Sequence, residues 1–350
     1  MNTDWQNFLT EHHAHIADGV VQHFGDQDAE LDATAHHTVL CDLSQFGTLR
    51  VSGEDAQAFL QNLLSNDIRN VDGTHAQLSS FNTAKGRMLA VFLIWREGED
   101  YFLQLPRSLC AAMQKKLSMY VLRSKVKIED ASEQQVSIGL SGNEAVELLH
   151  DHIFSIIPQD IFAVQQGVQQ GGILSAHISV IRLGDTRFQI NTSAQYATEL
   201  WSKLRTKARP VGAPCWGWLN IRSGIPVIVP GTQEEFVPQM ANLDMIGGIS
   251  FKKGCYPGQE IVARMHYLGK LKRRMYLAHL ACPDAPQAGD ELFSADMEGQ
   301  ASGMIANAAP APNGGYDILA VIQTASVESS TVRTAAGIAL EFLTLPYALQ

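Results

Sequence analysis

The stretch Lys252-Lys253-Gly254-Cys255-Tyr256-Pro257-Gly258-Gln259-Glu260 sets a thiol between two glycines, behind two ammonium groups and ahead of a proline. The thiolate is the reactive form of cysteine, and nearby cations or a helix N-terminus favour it. Beyond Pro257 the apolar residues Ile261, Val262, Met265 and Leu268 recur with helical spacing. Proline suits the first turn of such a helix. Cys255 is therefore expected at or just before a helix start, as a candidate catalytic or redox thiol. Gly254 and Gly258 allow a tight turn and close approach of backbone to a ligand. The other reading is a buried cysteine in a glycine-bounded turn, because a free cysteine commonly serves as a small hydrophobe. The residues alone leave both open.

Charge gathers around this thiol. Lys252, Lys253, Arg264, Lys270, Lys272, Arg273 and Arg274 are seven of 26 basic residues in a chain of net charge −10. Such an island either attracts a polyanion (RNA, or the glutamate tail of a folate) or forms a solvated rim. Trp216 and Trp218 flank Gly217, and Phe46 precedes an apolar strand. Their flat faces could hold a fused-ring ligand, although core packing is the ordinary fate of tryptophan. There is no P-loop, H-E-x-x-H, EF-hand loop or G-x-S-x-G, which disfavours phosphoryl transfer and zinc hydrolysis. Five cysteines with no C-x-x-C suggest neither a disulfide framework nor a cysteine-rich metal site. They fit a reducing cytosol. No signal peptide or membrane-spanning run is read, so a cytoplasmic protein without a membrane partner is expected.

The elements that position these residues show an internal repeat. Leu49-Arg50-Val51-Ser52-Gly53-Glu54-Asp55-Ala56 resembles Ile138-Gly139-Leu140-Ser141-Gly142-Asn143-Glu144-Ala145. Each copy reads as a strand ending in Ser-Gly and then a helix. Ser52 with Asp55, and Ser141 with Glu144, have capping-box spacing. A strand pair follows each helix, turning at 97–100 and at 184–185, and then a second helix. This order, twice, predicts an α+β fold of two ferredoxin-like halves. From about residue 273 short apolar runs between Gly, Pro and Asp predict a small antiparallel β-barrel or sandwich. Residues 4–24, with Trp5, Phe8, Leu9, Ile16, Val20 and Phe24, predict one amphipathic N-terminal helix. The expected domains are an N-terminal helical segment (1–37), a first α+β half (38–130), a second half carrying the cysteine (131–270) and the barrel (271–350).

Lys253-Gly254-Cys255-Tyr256, with Gly258-Gln259-Glu260, resembles the signature K-G-C-Y-x-G-Q-E of the YgfZ family, a relative of the folate-dependent T-protein (aminomethyltransferase) of glycine cleavage. Val51-Ser52-Gly53, Leu122-Arg123-Ser124-Lys125-Val126, Asn220-Ile221 with Gly224-Ile225-Pro226, and Leu345-Pro346-Tyr347 also match. The resemblance implies a T-protein-like ring of the two halves and the barrel around a folate channel. It implies tetrahydrofolate or a derivative as cofactor, held by Phe46, Trp216, Tyr256, Gln259, Glu260 and Arg264. It further implies support for assembly or repair of iron–sulfur clusters in client enzymes, including those of tRNA modification, with Cys255 making transient contact with a cluster. Direct tRNA binding ranks lower. T-proteins carry two acidic residues where Ala90 and Val91 stand here. A folate-dependent one-carbon transferase is therefore the alternative rather than the first reading.

Overall fold

A computed structural model describes residues 1–171, 174–267, 269 and 271–349. The chain forms two compact units. The first holds Met1–Ala56, Asn70–Gln77 and Ile94–Trp216, and the second holds Gln57–Arg69, Leu78–Leu93 and Gly217–Gln350. No helix among the described residues is long and apolar enough to cross a membrane.

The N-terminal region corrects the single-helix expectation. Helix α1 (Thr3–Glu11) is capped by the Asn2 side chain, which accepts from the Asp4 and Trp5 amides. It stops well short of residue 24. Strands β1 (His15–Ala17) and β2 (Val20–His23) then form a hairpin. Asp18 at φ 51° and Gly19 at φ 72° make its two-residue turn. Asp-Gly is a strong hairpin signal, and it overrides the apolar spacing. Helix α2 (Gln27–His36) follows, capped by Asp26.

The repeat is real in three dimensions. Strands β3 (Val39–Asp42) and β4 (Phe46–Ser52) lead to α3 (Ala56–Leu63), β5 (Gln77–Asn82), β6 (Met88–Glu97), β7 (Asp100–Pro106), α4 (Arg107–Ser118) and β8 (Lys127–Asp130). The second copy runs β9 (Val136–Ser141), α5 (Ala145–His152), β10 (Val164–Gly171), β11 (Leu174–Gly184), β12 (Arg187–Thr192), α6 (Ala194–Leu204) and β13 (Arg209–Val211). The first sheet has the order β5-β6-β7-β4-β8, and the second β10-β11-β12-β9-β3-β13. In the second sheet β3, which precedes the first copy, takes the place beside β9 that β8 takes beside β4. β13 lies outside it in parallel pairing.

Both Ser-Gly turns place glycine where a side chain cannot go. Gly53 has φ +114° and a Cβ there would lie 2.1 Å from the Lys125 carbonyl oxygen. Gly142 has φ +129° and a Cβ would lie 2.4 Å from Thr38 Cα. The capping boxes do not form. Asp55 instead accepts from the Lys125 amide at 2.8 Å. Glu144 makes no side-chain cap, and its own amide donates to Thr38 Oγ1 at 3.0 Å. Lys125, just before β8, and Thr38, just before β3, engage the Asp55 carboxylate and the Glu144 amide, a tertiary demand that local spacing does not reveal. Beneath lies the core of Ile138, Leu140, Phe188, Ile190, Leu200 and Trp201. Trp5 meets Trp201 edge-on at 5.4 Å and donates to buried Asp42 at 2.7 Å.

Helix α7 (Ala213–Arg222) and α8 (Gln259–Tyr267) precede the C-terminal strands β14 (Arg273–Leu280), β15 (Glu291–Phe293), β16 (Ala301–Pro310) and β17 (Tyr316–Gln323). Helix α9 (Thr324–Ser329), β18 (Arg333–Thr334) and β19 (Glu341–Leu343) complete the chain. The sheet is antiparallel, in the order β18-β15-β16-β17-β14-β19, and curls as a half-barrel over Leu280, Leu292, Ile305, Ile318 and Ile322. Trp218 is fixed to it through its indole N–H, which donates to Asp317 at 2.8 Å.

Gly142→Ala tests the packing of β3 on the second Ser-Gly turn. Strain and overlap together should lower the unfolding free energy by about 2–4 kcal/mol in urea denaturation. A loss under about 1 kcal/mol would contradict this account of the turn.

Candidate functional site

The signature segment is fastened inside the second unit by its lysine. Helix α3 ends at Leu63, and its last carbonyls have no intrahelical partner. Lys253 Nζ donates to the carbonyl oxygens of Gln61 at 2.6 Å, Leu64 at 2.5 Å and Asn66 at 3.1 Å. An ammonium has three N–H groups, so all are used. The Tyr256 ring lies under the same nitrogen, 5.1 Å from ring centre. Lys253 and Tyr256 are both buried. Burial pulls the Lys253 pKa from 10.5 to about 8, with Asp67 opposing the fall. Burial also raises that of Tyr256. The expectation that Lys253 presents charge to a ligand is thereby corrected: its charge faces backbone carbonyls.

The residues just upstream are stitched to the same place. Ser65 Oγ donates to Gly248 O at 2.8 Å, Asn66 Nδ2 to Gly247 O at 2.6 Å, and the Ser250 amide to Ser65 O at 3.0 Å. Downstream, Gly258 at φ +79° lies against the turn 83–87, where a Cβ would sit 2.5 Å from Gly86 Cα and from Thr83 O. Gly86, at φ +72°, is in turn close to Gly258 O and Ile261. The glycine of Lys85-Gly86-Arg87 and that of Pro257-Gly258 are thus needed by each other. Between these anchors Gly254 and Cys255 stand exposed. Helix α8 opens at Gln259, so Pro257 precedes the helix rather than lying in its first turn.

Cys255 is the exposed member of the five cysteines. Cys41, Cys110 and Cys215 are buried and Cys282 is half-buried. Burial pushes the thiol pKa of Cys110 to about 12 and of Cys215 to about 11, and raises those of Cys41 and Cys282. Among the described residues no group of three His, Cys, Asp or Glu could hold a metal ion.

On α8, Gln259 is half-buried while Glu260 and Arg264 are exposed. Phe251 stacks on His266 at 3.8 Å and holds the helix's last turn. The basic island is smaller at the surface than its sequence suggests. Arg274 is buried, donating to Asp244 at 2.7 Å and to Gln239 O at 2.9 Å. Lys252, Arg264 and Lys272 are exposed and Arg273 is half-buried. Lys270 and the predicted apolar contact Leu268 lie outside the described residues. Sequence reasoning missed Ser65 and Asn66. Their signal was a polar pair just past a helix end, where such residues favour turns.

The two aromatic candidates belong to the first unit. Phe46 is half-buried at the start of β4. Trp216 is buried, with Gly139 packed against its ring and the Arg187 guanidinium 4.6 Å over it. Burial lowers the Arg187 pKa to about 9. Ala90 and Val91 are buried in β6, so no carboxylate stands at those positions.

Residues 10–252 match the family of the GCVT N-terminal domain. The tRNA-modifying protein YgfZ of Colwellia psychrerythraea is 33% identical over 240 residues, covering 68% of this chain and 71% of that protein. The tRNA-modifying protein YgfZ of Shigella boydii is 32% identical over 253 residues, covering 72% of this chain and 75% of that protein. The glycine cleavage system aminomethyltransferase T from Bartonella henselae has the same fold, with a TM-score of 0.75 at 17% identity over 99% of this chain and 97% of that one.

The two signature glycines should respond differently to substitution. Gly258→Ala meets backbone and carries a positive φ, and should cost about 2–3 kcal/mol. At Gly254 a Cβ meets nothing within 4 Å. Gly254→Ala should fall within about 0.5 kcal/mol of the parent. Thermal unfolding of both reads the contrast, and equal losses would refute the placement of the loop.

Proposed function

The chain belongs to the YgfZ family, built on the GCVT N-terminal domain, and from that premise we propose that it is a folate-binding accessory protein of tRNA modification. It supports assembly or repair of iron–sulfur clusters in the enzymes concerned, and Cys255 is its working thiol. The observation that carries this reading is the exposed Cys255 on a loop whose neighbours Lys253 and Tyr256 are buried. Such a thiol is accessible yet held by a fixed scaffold. Cys255 has no companion metal ligands among the described residues. A cluster meeting it would take its other ligands from the client enzyme. Five free cysteines suit the reducing cytoplasm in which this reading places the protein.

Orphaned polar atoms favour a polar ligand. Ser80 Oγ and both amide atoms of Asn82 are buried on one face of β5 without a hydrogen-bond partner among the described residues. Each such atom costs about 1–3 kcal/mol until something satisfies it. The edge of a pterin carries both donors and acceptors, so the chemistry of these groups fits a folate. Bound tetrahydrofolate supplies a one-carbon carrier and a reduced pterin. Phe46, Tyr256, Gln259, Glu260 and Arg264 remain the residues assigned to hold it. The Trp216 ring face is covered by Gly139 and Arg187, which leaves it to core packing.

Burial of Ala90 and Val91 where a transferase would need an acid favours the accessory role over aminomethyl transfer. Direct tRNA contact ranks lower, because Lys253 and Arg274 face inward.

Tetrahydrofolate should produce a saturable change in tryptophan fluorescence; absence of binding removes the folate half of the reading. Cys255→Ser should bind folate as the parent does. It should fail to restore iron–sulfur enzyme activity and tRNA thiolation in cells lacking the protein. Full rescue by that variant removes the thiol from the mechanism.

A further inference from the structure

We propose that Lys253 is a positioning residue for Cys255: its ammonium, seated on the carbonyls that close α3, holds the signature loop in the one arrangement that presents the thiol. The inference rests on the reading of Cys255 as the working group and adds what that group depends on. Lys252 and Lys253 are adjacent and equally charged, yet they have opposite fates. Lys252 is exposed. Lys253 is buried with its three N–H groups on Gln61, Leu64 and Asn66.

The stoichiometry explains why the residue is lysine. Three backbone acceptors converge on one atom, and only an ammonium brings three donors to one atom. A guanidinium spreads its donors over a planar fork and cannot place three of them at one point. A methionine of similar length leaves three carbonyls bare. The nest is also shared. Leu64 and Asn66 flank Ser65, and Ser65 and Asn66 hold Gly247, Gly248 and Ser250. The chain leading into Cys255 is therefore held at Gly247, Gly248, Ser250 and Lys253 by the same short segment after α3. Tyr256, under the ammonium at 5.1 Å, carries the constraint past the thiol.

A role through charge and a role through position predict different variant patterns. If position matters, both Lys253→Met and Lys253→Arg lose rescue of client iron–sulfur enzymes by at least fivefold, although the second keeps the charge. Lys252→Met keeps rescue within twofold. Tetrahydrofolate affinity is read for all three, and a loss of rescue larger than the loss of affinity separates the thiol's placement from that of the ligand. With Cys282 replaced by serine, the pH profile of Cys255 alkylation shifts in both Lys253 variants and not in Lys252→Met. Retention of rescue and profile by Lys253→Arg, or equal losses at both lysines, overturns the proposal. Failure of Cys255→Ser to lose rescue, with Lys253→Met still defective, would sink the thiol reading and leave the lysine needed for another reason.

If the Lys253 variants do not fold, the parent protein still decides. Its Lys253 Nζ, followed by nitrogen NMR, should keep slowly exchanging protons and titrate at about 8. Below that pH the charged amine carries the full burden of burial. From 8 towards 10.5 the unfolded chain binds more protons than the folded one, so this group adds stability as pH rises. A freely exchanging amine titrating as an ordinary lysine overturns the proposal.

Discussion

Three carbonyl oxygens at the end of α3 converge on one ammonium, and the exposed thiol stands two residues away from it. Leaving the carbonyls bare would cost about 1–3 kcal/mol each. Drawing the lysine pKa from 10.5 to about 8 corresponds, at about 1.4 kcal/mol per unit, to about 3 kcal/mol against the charged form. Three such carbonyls together match or exceed that penalty, so the charged amine stays seated on them. The loop's anchors at Ser65, Asn66 and Gly258 do not substitute for the lysine, because none of them supplies donors to the Gln61 and Leu64 carbonyls.

The first unit has its own constraint of the same kind. Its sheet β10-β11-β12-β9-β3-β13 repeats the order of β5-β6-β7-β4-β8, but the strand beside β9 comes from before the first copy. β3 can reach that place only if the backbone at Gly142 lets it pass within contact of Thr38, which a side chain forbids. Placing β3 there buries Asp42, and Trp5 supplies an indole N–H to it at 2.7 Å. The N-terminal helix thus serves the repeat rather than forming a separate layer. The order is a consequence of packing: α1 docks on α6 through Trp5 and Trp201, and the buried carboxylate beneath must find a donor.

What could be read from the chain beforehand was whatever is local. The Ser-Gly turns, the hairpins at 97–100 and 184–187, and the antiparallel texture after residue 273 each carry their cause within a few residues. The cysteine motif was legible because so many residue types with special backbone or charge needs fall together. Partner choice was not legible. Asp55 and Glu144 had the spacing of caps, yet the Asp55 carboxylate accepts from the distant Lys125 amide and the Glu144 amide donates to the distant Thr38 hydroxyl. Lys253 and Arg274 looked like surface charge until Gln61, Leu64, Asn66 and Asp244 were brought beside them. The N-terminal error was different. Asp18-Gly19 announced a turn locally, and the weight given to apolar spacing hid it.

The contrast between the lost acids and the retained thiol bears on what chemistry this scaffold keeps. Ala90 is fully buried in a strand whose neighbours Leu89 and Phe92 are also buried. A carboxylate returned to that position would enter without a visible partner and would be driven towards its neutral form. It could not serve as a fixed negative charge unless the strand's surroundings changed with it. Restoring the acid alone therefore does not restore a transferase. The preceding strand β5 keeps polar groups: Ser80 Oγ and both amide atoms of Asn82 are buried without a hydrogen-bond partner among the described residues. Ala90 has no proton to give or take, whereas the Ser80 hydroxyl and the Asn82 amide carry donors and acceptors without a partner among the described residues.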